Sequence, residues 1–156
     1  MKTYQEFLTE LFDKPLPYKE YHGDEEASYD FVTPKGQGIT VEIVPDQFGS
    51  YEFSFENNQS MPEKEAMKTN TGQGEEIKIF STVLDILYKF IRIELPDHFY
   101  TQAVLSEPSR VKLYRRLFSQ FTKKYPDYKV TETTKAPAKR GFIRFDAKVQ
   151  RKHENV

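Results

Sequence analysis

The sequence has no cysteine and only three histidines, and both shortages exclude classes of chemistry. Without a thiol there is no cysteine nucleophile, no disulfide and no cysteine-ligated zinc. The histidines lie far apart in the chain, at His22, His98 and His153, so we expect no metal centre. No apolar run reaches the length that spans a bilayer, and the amino terminus lacks the apolar core of a secretory signal. We therefore predict a protein without membrane association that stays in the cell that makes it.

Charge is divided unevenly along the 156 residues, a length that suits one domain. The net charge is −1, yet residues 1–106 carry 9 Lys/Arg against 19 Asp/Glu, while residues 107–152 carry 14 against 4. The carboxy-terminal third of the chain, residues 107–152, is therefore basic and is called the basic third below. It suits nucleic-acid binding, and it equally suits pairing with acidic groups of its own fold, which we favour. The side chains considered for nucleic acid are Arg110, Lys112, Arg115, Arg116, Lys139, Arg140 and Arg144.

The longest regular pattern runs from residue 71 to residue 92 and predicts a largely buried helix. Apolar residues recur there at three- and four-residue steps, at Ile77, Phe80, Leu84, Leu87 and Ile91. Polar residues form one stripe of Lys78, Thr82, Asp85, Lys89 and Arg92. Gly72 and Gly74 precede the apolar stretch, where unpaired backbone N–H groups bind anions when the approach is unobstructed. Two interpretations stay open, a phosphate-binding loop and a plain turn.

Alternating apolar and polar residues predict three strands before this helix, over residues 29–33, 38–44 and 51–56, joined by compact turns into an antiparallel meander. Residues 13–28 have no clear period and predict a loop, as does the polar stretch 57–70. After the helix, residues 98–105 predict a buried strand, and Ser106 is the expected N-cap of a second helix. Its apolar stripe is Val111, Tyr114, Phe118, Phe121 and Tyr125. Residues 126–133 and 142–149 predict a closing hairpin, which completes a single α+β domain with a mostly antiparallel sheet and flanking helices.

Two short segments resemble a known family. Thr69-Asn70-Thr71-Gly72-Gln73-Gly74 is similar to the glycine loop of the GNAT superfamily of N-acetyltransferases, although Thr69 replaces the usual Gln or Arg. The segment from Ser109 to Phe118 is similar to the family's tyrosine-bearing helix. The order of elements from Tyr29 to Val149 also resembles that of GNAT proteins.

The resemblance implies a function and a set of site residues. Acetyl-CoA would be the cofactor, with its pyrophosphate held by the loop and helix start at Gly72, Gln73, Gly74 and Glu75. Tyr114 would protonate the departing thiolate, although a tyrosine on an apolar stripe is also an ordinary core residue. The base that accepts the amine proton stays open among Glu42, Glu52, Glu56 and water.

The first ten residues, Met1 to Glu10, resemble the head-targeting segment of internal head proteins in T-even-like tailed phages. That resemblance implies a phage protein whose chain is cut after the tripeptide Leu8-Thr9-Glu10. Thr3 and Glu6 form a capping box that predicts a helix here. We therefore divide the chain into a targeting-like helix at residues 1–12 and a GNAT-like α+β domain at residues 13–156.

Three functions follow as hypotheses. The first is a phage-encoded, acyl-CoA-dependent N-acetyltransferase. The second is a non-catalytic phage internal head or host-interaction protein, with host proteins or head components as partners, on a degenerate acetyltransferase scaffold. The third is a nucleic-acid-binding protein that uses the basic third. The expected location is the host cytoplasm or the phage head.

Overall fold

The structure, a computed structural model, describes residues 3, 14–24, 26–57, 73–135 and 141–150. The predicted targeting helix over residues 1–12, its cleavage tripeptide, and the loop that ends at Gly72 lie outside these residues. Within the described part, seven strands and two helices follow one another along the chain. They are β1 (Lys19–His22), β2 (Ala27–Val32), β3 (Gly38–Pro45), β4 (Tyr51–Asn57), α1 (Gln73–Glu94), β5 (His98–Val104), α2 (Pro108–Lys124), β6 (Tyr128–Lys135) and β7 (Phe142–Val149).

The strands form one mixed sheet in the order β1-β2-β3-β4-β5-β7-β6. The pairs β1–β2, β2–β3, β5–β7 and β6–β7 are antiparallel, whereas β4 and β5 are parallel. The predicted α+β class with a mostly antiparallel sheet is thus confirmed, as are both helices, the closing hairpin and the neighbouring positions of β2, β3 and β4. The chain also clusters into two compact units, Met1–Ile43 with Phe55–Glu94 and Val44–Ser54 with Leu95–Val156.

In the first unit, the apolar residues that show the predicted periodicity form the core. Alternate residues of β2 and β3 are buried, including Phe31, Val41 and Ile43, because successive side chains of a strand point to opposite faces. Within α1, the apolar side chains include Val83 and Leu87, both with no exposed surface. The prediction of a loop over residues 13–28 is wrong at Lys19–His22, which forms β1. This edge strand is short and mostly exposed, so it carries no alternating apolar signal.

The polar stripe of α1 is covered by a strap, defined here as residues 14–20. The backbone carbonyl of Lys14 accepts from Lys78 Nζ at 2.9 Å, and two residues later the Leu16 amide donates to Thr82 Oγ1 at 2.8 Å. The same pattern continues at Tyr18, which binds Asp85, and at Glu20, which binds Lys89. Two residues of extended chain therefore advance along α1 about as far as three or four helical residues.

Within the strap, Tyr18 has the most strongly shifted pKa. Its hydroxyl donates to Asp85 Oδ2 at 3.0 Å, and its ring stacks edge-on against Tyr29 with centroids 5.9 Å apart. Burial, followed by the negative charge of Asp85, raises the pKa of Tyr18 to about 12. The hydroxyl therefore stays protonated and donates at neutral pH.

In the second unit, β5 alternates. Phe99, Thr101 and Ala103 are buried, while Gln102 and Val104 are exposed, so the predicted strand is present but is buried on one face only. One face of β5 meets the aromatic stripe of α2, where the Phe99 ring stacks on Phe118 at 5.6 Å. The other face carries His98, Tyr100 and Gln102.

The start of α2 also differs from the prediction. The N-cap residue is Glu107, without a side-chain capping bond, and Pro108 begins the helix, so Ser106 is not the cap. Proline suits this first position because it has no N–H to leave unpaired. The predicted stripe is confirmed at Val111, Phe118 and Phe121, all of which are buried.

Candidate functional site

The predicted cofactor-binding residues lie at the beginning of α1, which starts at Gln73. Gly74 and Glu75 follow as the second and third helical residues, so Gly74 is inside the first turn rather than before it. The first N–H groups of a helix have no intrahelical acceptor, so the amides of Gln73, Gly74 and Glu75 include the donors that a phosphate would use. Gly72 lies outside the described residues.

Tyr114 lies in the middle of α2 and has no exposed surface. Its ring centroid is 6.3 Å from that of Phe145 on β7, which in turn stacks on Phe118. The side chain therefore belongs to the aromatic core of the second unit, as the packing interpretation of the sequence expects. The role of Tyr114 as an acid stays a prediction.

Three polar side chains that the sequence analysis did not group meet in the second unit. His98, the first residue of β5, lies between Ser50, just before β4, and Asp146 on β7. Ser50 Oγ is 2.7 Å from His98 Nδ1, and His98 Nε2 is 2.7 Å from Asp146 Oδ1. The three residues define the Ser–His–Asp cluster. The His98 side chain is 19% exposed and that of Asp146 is 12% exposed, so the cluster is largely shielded from water.

The hydrogen-bond roles in this cluster follow from the carboxylate. Burial alone would raise the pKa of Asp146, but hydrogen bonds from Arg144 and His98 outweigh burial and hold that pKa below its ordinary value. An ionised carboxylate only accepts hydrogen bonds, so His98 Nε2 must carry a proton and donate it. In the neutral imidazole, Nδ1 then accepts the hydroxyl hydrogen of Ser50.

Arg144 fixes the carboxylate from the other side. Its Nε is 3.0 Å from both carboxylate oxygens of Asp146, and its NH2 group is 2.9 Å from Oδ1. The guanidinium also lies over the ring of Tyr100, 3.9 Å from the centroid, which is cation–π geometry. The hydrogen bond to Asp146 raises the pKa of Arg144 further. Asp146 is therefore a rigid, ionised anchor for His98.

Asp46 fixes the backbone on the Ser50 side of the cluster. Its Oδ1 accepts the amide hydrogens of Phe48 and Ser50, each at 2.9 Å, and its own amide donates to the Ser50 carbonyl at 2.7 Å. Gly49 makes the turn with φ +82°, a conformation that favours glycine. Burial opposes ionisation of Asp46, but these backbone hydrogen bonds prevail, and its pKa is lowered. The turn therefore presents Ser50 at a defined position beside His98.

The sequence contains no motif that could have revealed this cluster, because its members lie at positions 50, 98 and 146. What brings them together is register. Tyr51 pairs with Phe99 across the parallel strands, which puts the preceding residues Ser50 and His98 side by side. The antiparallel pairing of Tyr100 with Asp146 brings the carboxylate to the same region.

Other candidate groups from the sequence are distributed more widely. Glu52 is exposed, as is Glu56, whereas Glu42 is half-buried. Of the described basic side chains considered for nucleic acid, Arg115 binds Glu132 at 2.7 Å and Arg144 binds Asp146, so these two pair within their own fold. No three histidine or acidic side chains converge as metal ligands in the residues that the structure describes. Neither described helix has the combination of length and apolar character that spanning a bilayer requires.

Comparison with solved structures identifies the fold. The chain is 14% identical to a chimera of the spermidine N-acetyltransferase SpeG from Vibrio cholerae and hSSAT, with a TM-score of 0.52 over 80% of this chain and 68% of that one. It is 7% identical to the ribosomal L7/L12 α-N-protein acetyltransferase RimL in complex with coenzyme A, with a TM-score of 0.51 over 80% and 63%.

A third neighbour is the Vibrio cholerae spermidine N-acetyltransferase in complex with CoA and spermine, 16% identical, with a TM-score of 0.50 over 94% of this chain and 75% of that one. The chain spans about two thirds of the length of the first two neighbours. The sequence matches no protein-family model and no curated protein sequence. These structural likenesses confirm the resemblance read from the element order, and the chain has the GNAT fold.

Proposed function

We propose that the protein is an acyl-CoA-dependent N-acyltransferase, with acetyl-CoA as the donor. The observation that carries the proposal is the likeness of the fold to N-acetyltransferases, two of them solved with CoA. The start of α1 adds support, because the amides of Gln73, Gly74 and Glu75 are suited to a pyrophosphate. Gly72 would contribute from the preceding loop.

The proposed reaction is direct transfer. A neutral amine attacks the thioester carbonyl, the carbon–sulfur bond breaks, and the departing thiolate takes a proton from the Tyr114 hydroxyl. The amine proton goes to water or to one of the three glutamates Glu42, Glu52 and Glu56. The acceptor amines of the neighbours, such as the spermine bound to the Vibrio cholerae enzyme, are the first acceptors to try.

Thiol release tests this proposal with little background. The chain contains no cysteine, so a thiol-reactive dye detects only the CoA released from the donor. We expect amine-dependent thiol release from acetyl-CoA, with matching acetylation of the amine in its mass spectrum. Absence of amine-dependent release across polyamines, amino-terminal peptides and small amines would contradict the proposal.

A non-catalytic protein is the second candidate, and the complete burial of Tyr114 favours it. On this alternative, the acetyltransferase scaffold binds a host protein, a phage head component or, through the basic third, nucleic acid. Capture of a stoichiometric partner by a full-length chain that releases no thiol would favour this candidate. Retention on nucleic acid that weakens steeply with salt would identify the basic third as the contact.

For the amino terminus, we propose a phage origin, packaging in the head from the host cytoplasm, and cleavage after Glu10. The strap contacts described above begin at Lys14, so the cut would leave them intact. Mass spectrometry of virion proteins should then find a peptide that begins at Leu11. A virion-associated chain that retains Met1, or absence of the chain from virions, would contradict this proposal.

A further inference from the structure

We propose that Ser50 is a nucleophilic serine, activated by His98 and Asp146, that forms a covalent acyl-enzyme with activated esters or thioesters. This site is distinct from the acyl-CoA site of the proposed function and does not depend on it. The proposal rests on three side chains from three separate parts of the second unit that meet in one hydrogen-bonded line. Nucleophile, base and orienting carboxylate are the parts that serine acyl transfer requires.

The distances support a base that is already in place. Ser50 Oγ and His98 Nδ1 are 2.7 Å apart, which is within the range for proton transfer to a general base. His98 cannot turn away easily, because Asp146 Oδ1 holds Nε2 at 2.7 Å and the His98 ring lies against Tyr100 with centroids 5.7 Å apart. The lone pair of Nδ1 is therefore aimed at the serine hydroxyl.

Charged and titratable groups from the turn before β4 and from β4, β5 and β7 lie around the His98 ring. Asp146 stays ionised because of its hydrogen bonds, and Asp46 adds a second carboxylate on the turn. Arg144 on β7 and Tyr100 on β5 face the same region. Burial, followed by the nearby negative charge of Glu52 on β4, raises the pKa of Tyr100. Lys148 pairs in register with His98 but is exposed. Asp146 is in direct contact with the ring, so its negative charge lies beside the imidazolium that the reaction would form.

Acyl transfer at Ser50 proceeds by acylation of the serine and then hydrolysis of the acyl-serine. Ser50 Oγ attacks the acyl carbon while its proton moves to His98 Nδ1, and a tetrahedral intermediate forms. The bond to the leaving alkoxide or thiolate breaks, and His98 returns the proton to that group. Water then attacks the acyl-serine with His98 again as the base, releasing the carboxylic acid and restoring Ser50.

Stabilisation of the tetrahedral oxyanion is the weak part of the site. The Phe48 and Ser50 amides are both bound to Asp46 Oδ1, so neither donates freely. The Gly49 amide lies 3.4 Å from the Asp46 carbonyl, a long hydrogen bond that it can exchange for the oxyanion. We therefore expect slow acylation, and a probe that traps the serine permanently is a better readout than turnover.

The test uses the full chain and a fluorophosphonate probe, in which Ser50 Oγ displaces fluoride from phosphorus. We expect one adduct per chain, mapped to Ser50 by peptide mass spectrometry. A chain that is unfolded in urea before the probe is added should not be labelled. Ser50→Ala should abolish labelling, and His98→Gln should slow it about 100-fold, the usual size of a general-base contribution. Ser54→Ala, on a half-buried serine inside β4, should label at the rate of the unsubstituted chain.

Site mapping on the unsubstituted chain needs no variant, so it decides the matter even where a substitution impairs folding. An unlabelled chain after prolonged incubation, or an adduct on another residue, would overturn the proposal. So would an equal labelling rate in folded His98→Gln, because the cluster would then only hold β4, β5 and β7 together.

Discussion

At position 98, a single imidazole joins the turn before β4 to strand β7, and its two nitrogens are bound by groups of opposite character. One nitrogen faces the hydroxyl of Ser50 and the other faces the carboxylate of Asp146. Such residues are visible only in the fold, because a histidine, a serine and an aspartate about fifty residues apart are unremarkable in a sequence. The one relevant feature evident in the sequence was the scarcity of histidine, since His98 is one of three histidines.

Asp146 makes the stability of the protein depend on pH. Its folded-state pKa is lowered by Arg144 and His98, so its stabilising contribution is present above the pKa of an unfolded aspartate, about 3.9, and is lost as pH falls through the lower folded value. We expect Asp146→Asn to lower the melting temperature at pH 7. The difference in melting temperature between this variant and the unsubstituted chain should shrink as the pH falls below about 4.

Melting curves between pH 7 and pH 2.5 check this expectation. Asp127→Asn is a matched control, because Asp127 is an exposed aspartate of the same unit, and it should melt close to the unsubstituted chain throughout. A deficit of Asp146→Asn that stays constant down to pH 2.5 would show that the carboxylate charge is not the source of the stability.

Tyr114 offers a second test at the scale of one atom. Tyr114→Phe keeps the ring that packs near Phe145, so the loss of stability should not exceed that of one hydrogen bond, about 0.5–1.5 kcal/mol. If the hydroxyl protonates the thiolate, kcat should fall about 100-fold while KM stays nearly constant. Steady-state thiol release measures both. An unchanged kcat would leave Tyr114 with a packing role alone.

At the scale of elements, α1 and its strap show what periodicity can and cannot predict. The helix and its polar stripe were evident from the sequence, because the apolar residues recur at helical steps. The partner of that stripe was not, since residues 14–20 bind through backbone groups and single polar side chains and have no apolar period of their own. β1 escaped prediction for the same reason.

Thr82 is the position where the strap is most sensitive. It has no exposed surface, and its hydroxyl accepts the Leu16 amide while donating to the Lys78 carbonyl at 2.7 Å. Thr82→Ala would leave the Leu16 N–H without its acceptor, at a cost of about 1–3 kcal/mol. Thr82→Ser keeps the hydroxyl and should lose clearly less. Urea unfolding of both variants measures the difference, and equal losses would mean that the methyl group, not the hydrogen bond, stabilises the strap.

At the scale of the whole molecule, the order of elements was sufficient to predict the GNAT fold, although the structural neighbours are only 7–16% identical. Alternation and helical periodicity survive where individual residues do not, because they report which faces are buried. Register does not follow from such patterns, and the Ser–His–Asp cluster depends on register. The acceptor side of the proposed reaction is likewise outside what periodicity can show.

The central claim is that the amides of Gln73, Gly74 and Glu75 bind the pyrophosphate of CoA, and one measurement tests it most directly. Calorimetric titration of the full chain with CoA should be compared with that of Gly74→Asp. A carboxylate in the first turn favours the helix, so the variant should melt no lower, yet its charge repels phosphate. We predict binding to the unsubstituted chain and at least about tenfold weaker binding to the variant, a difference of about 1.4 kcal/mol. No heat of binding at millimolar CoA, or equal affinity for both chains, would contradict the account.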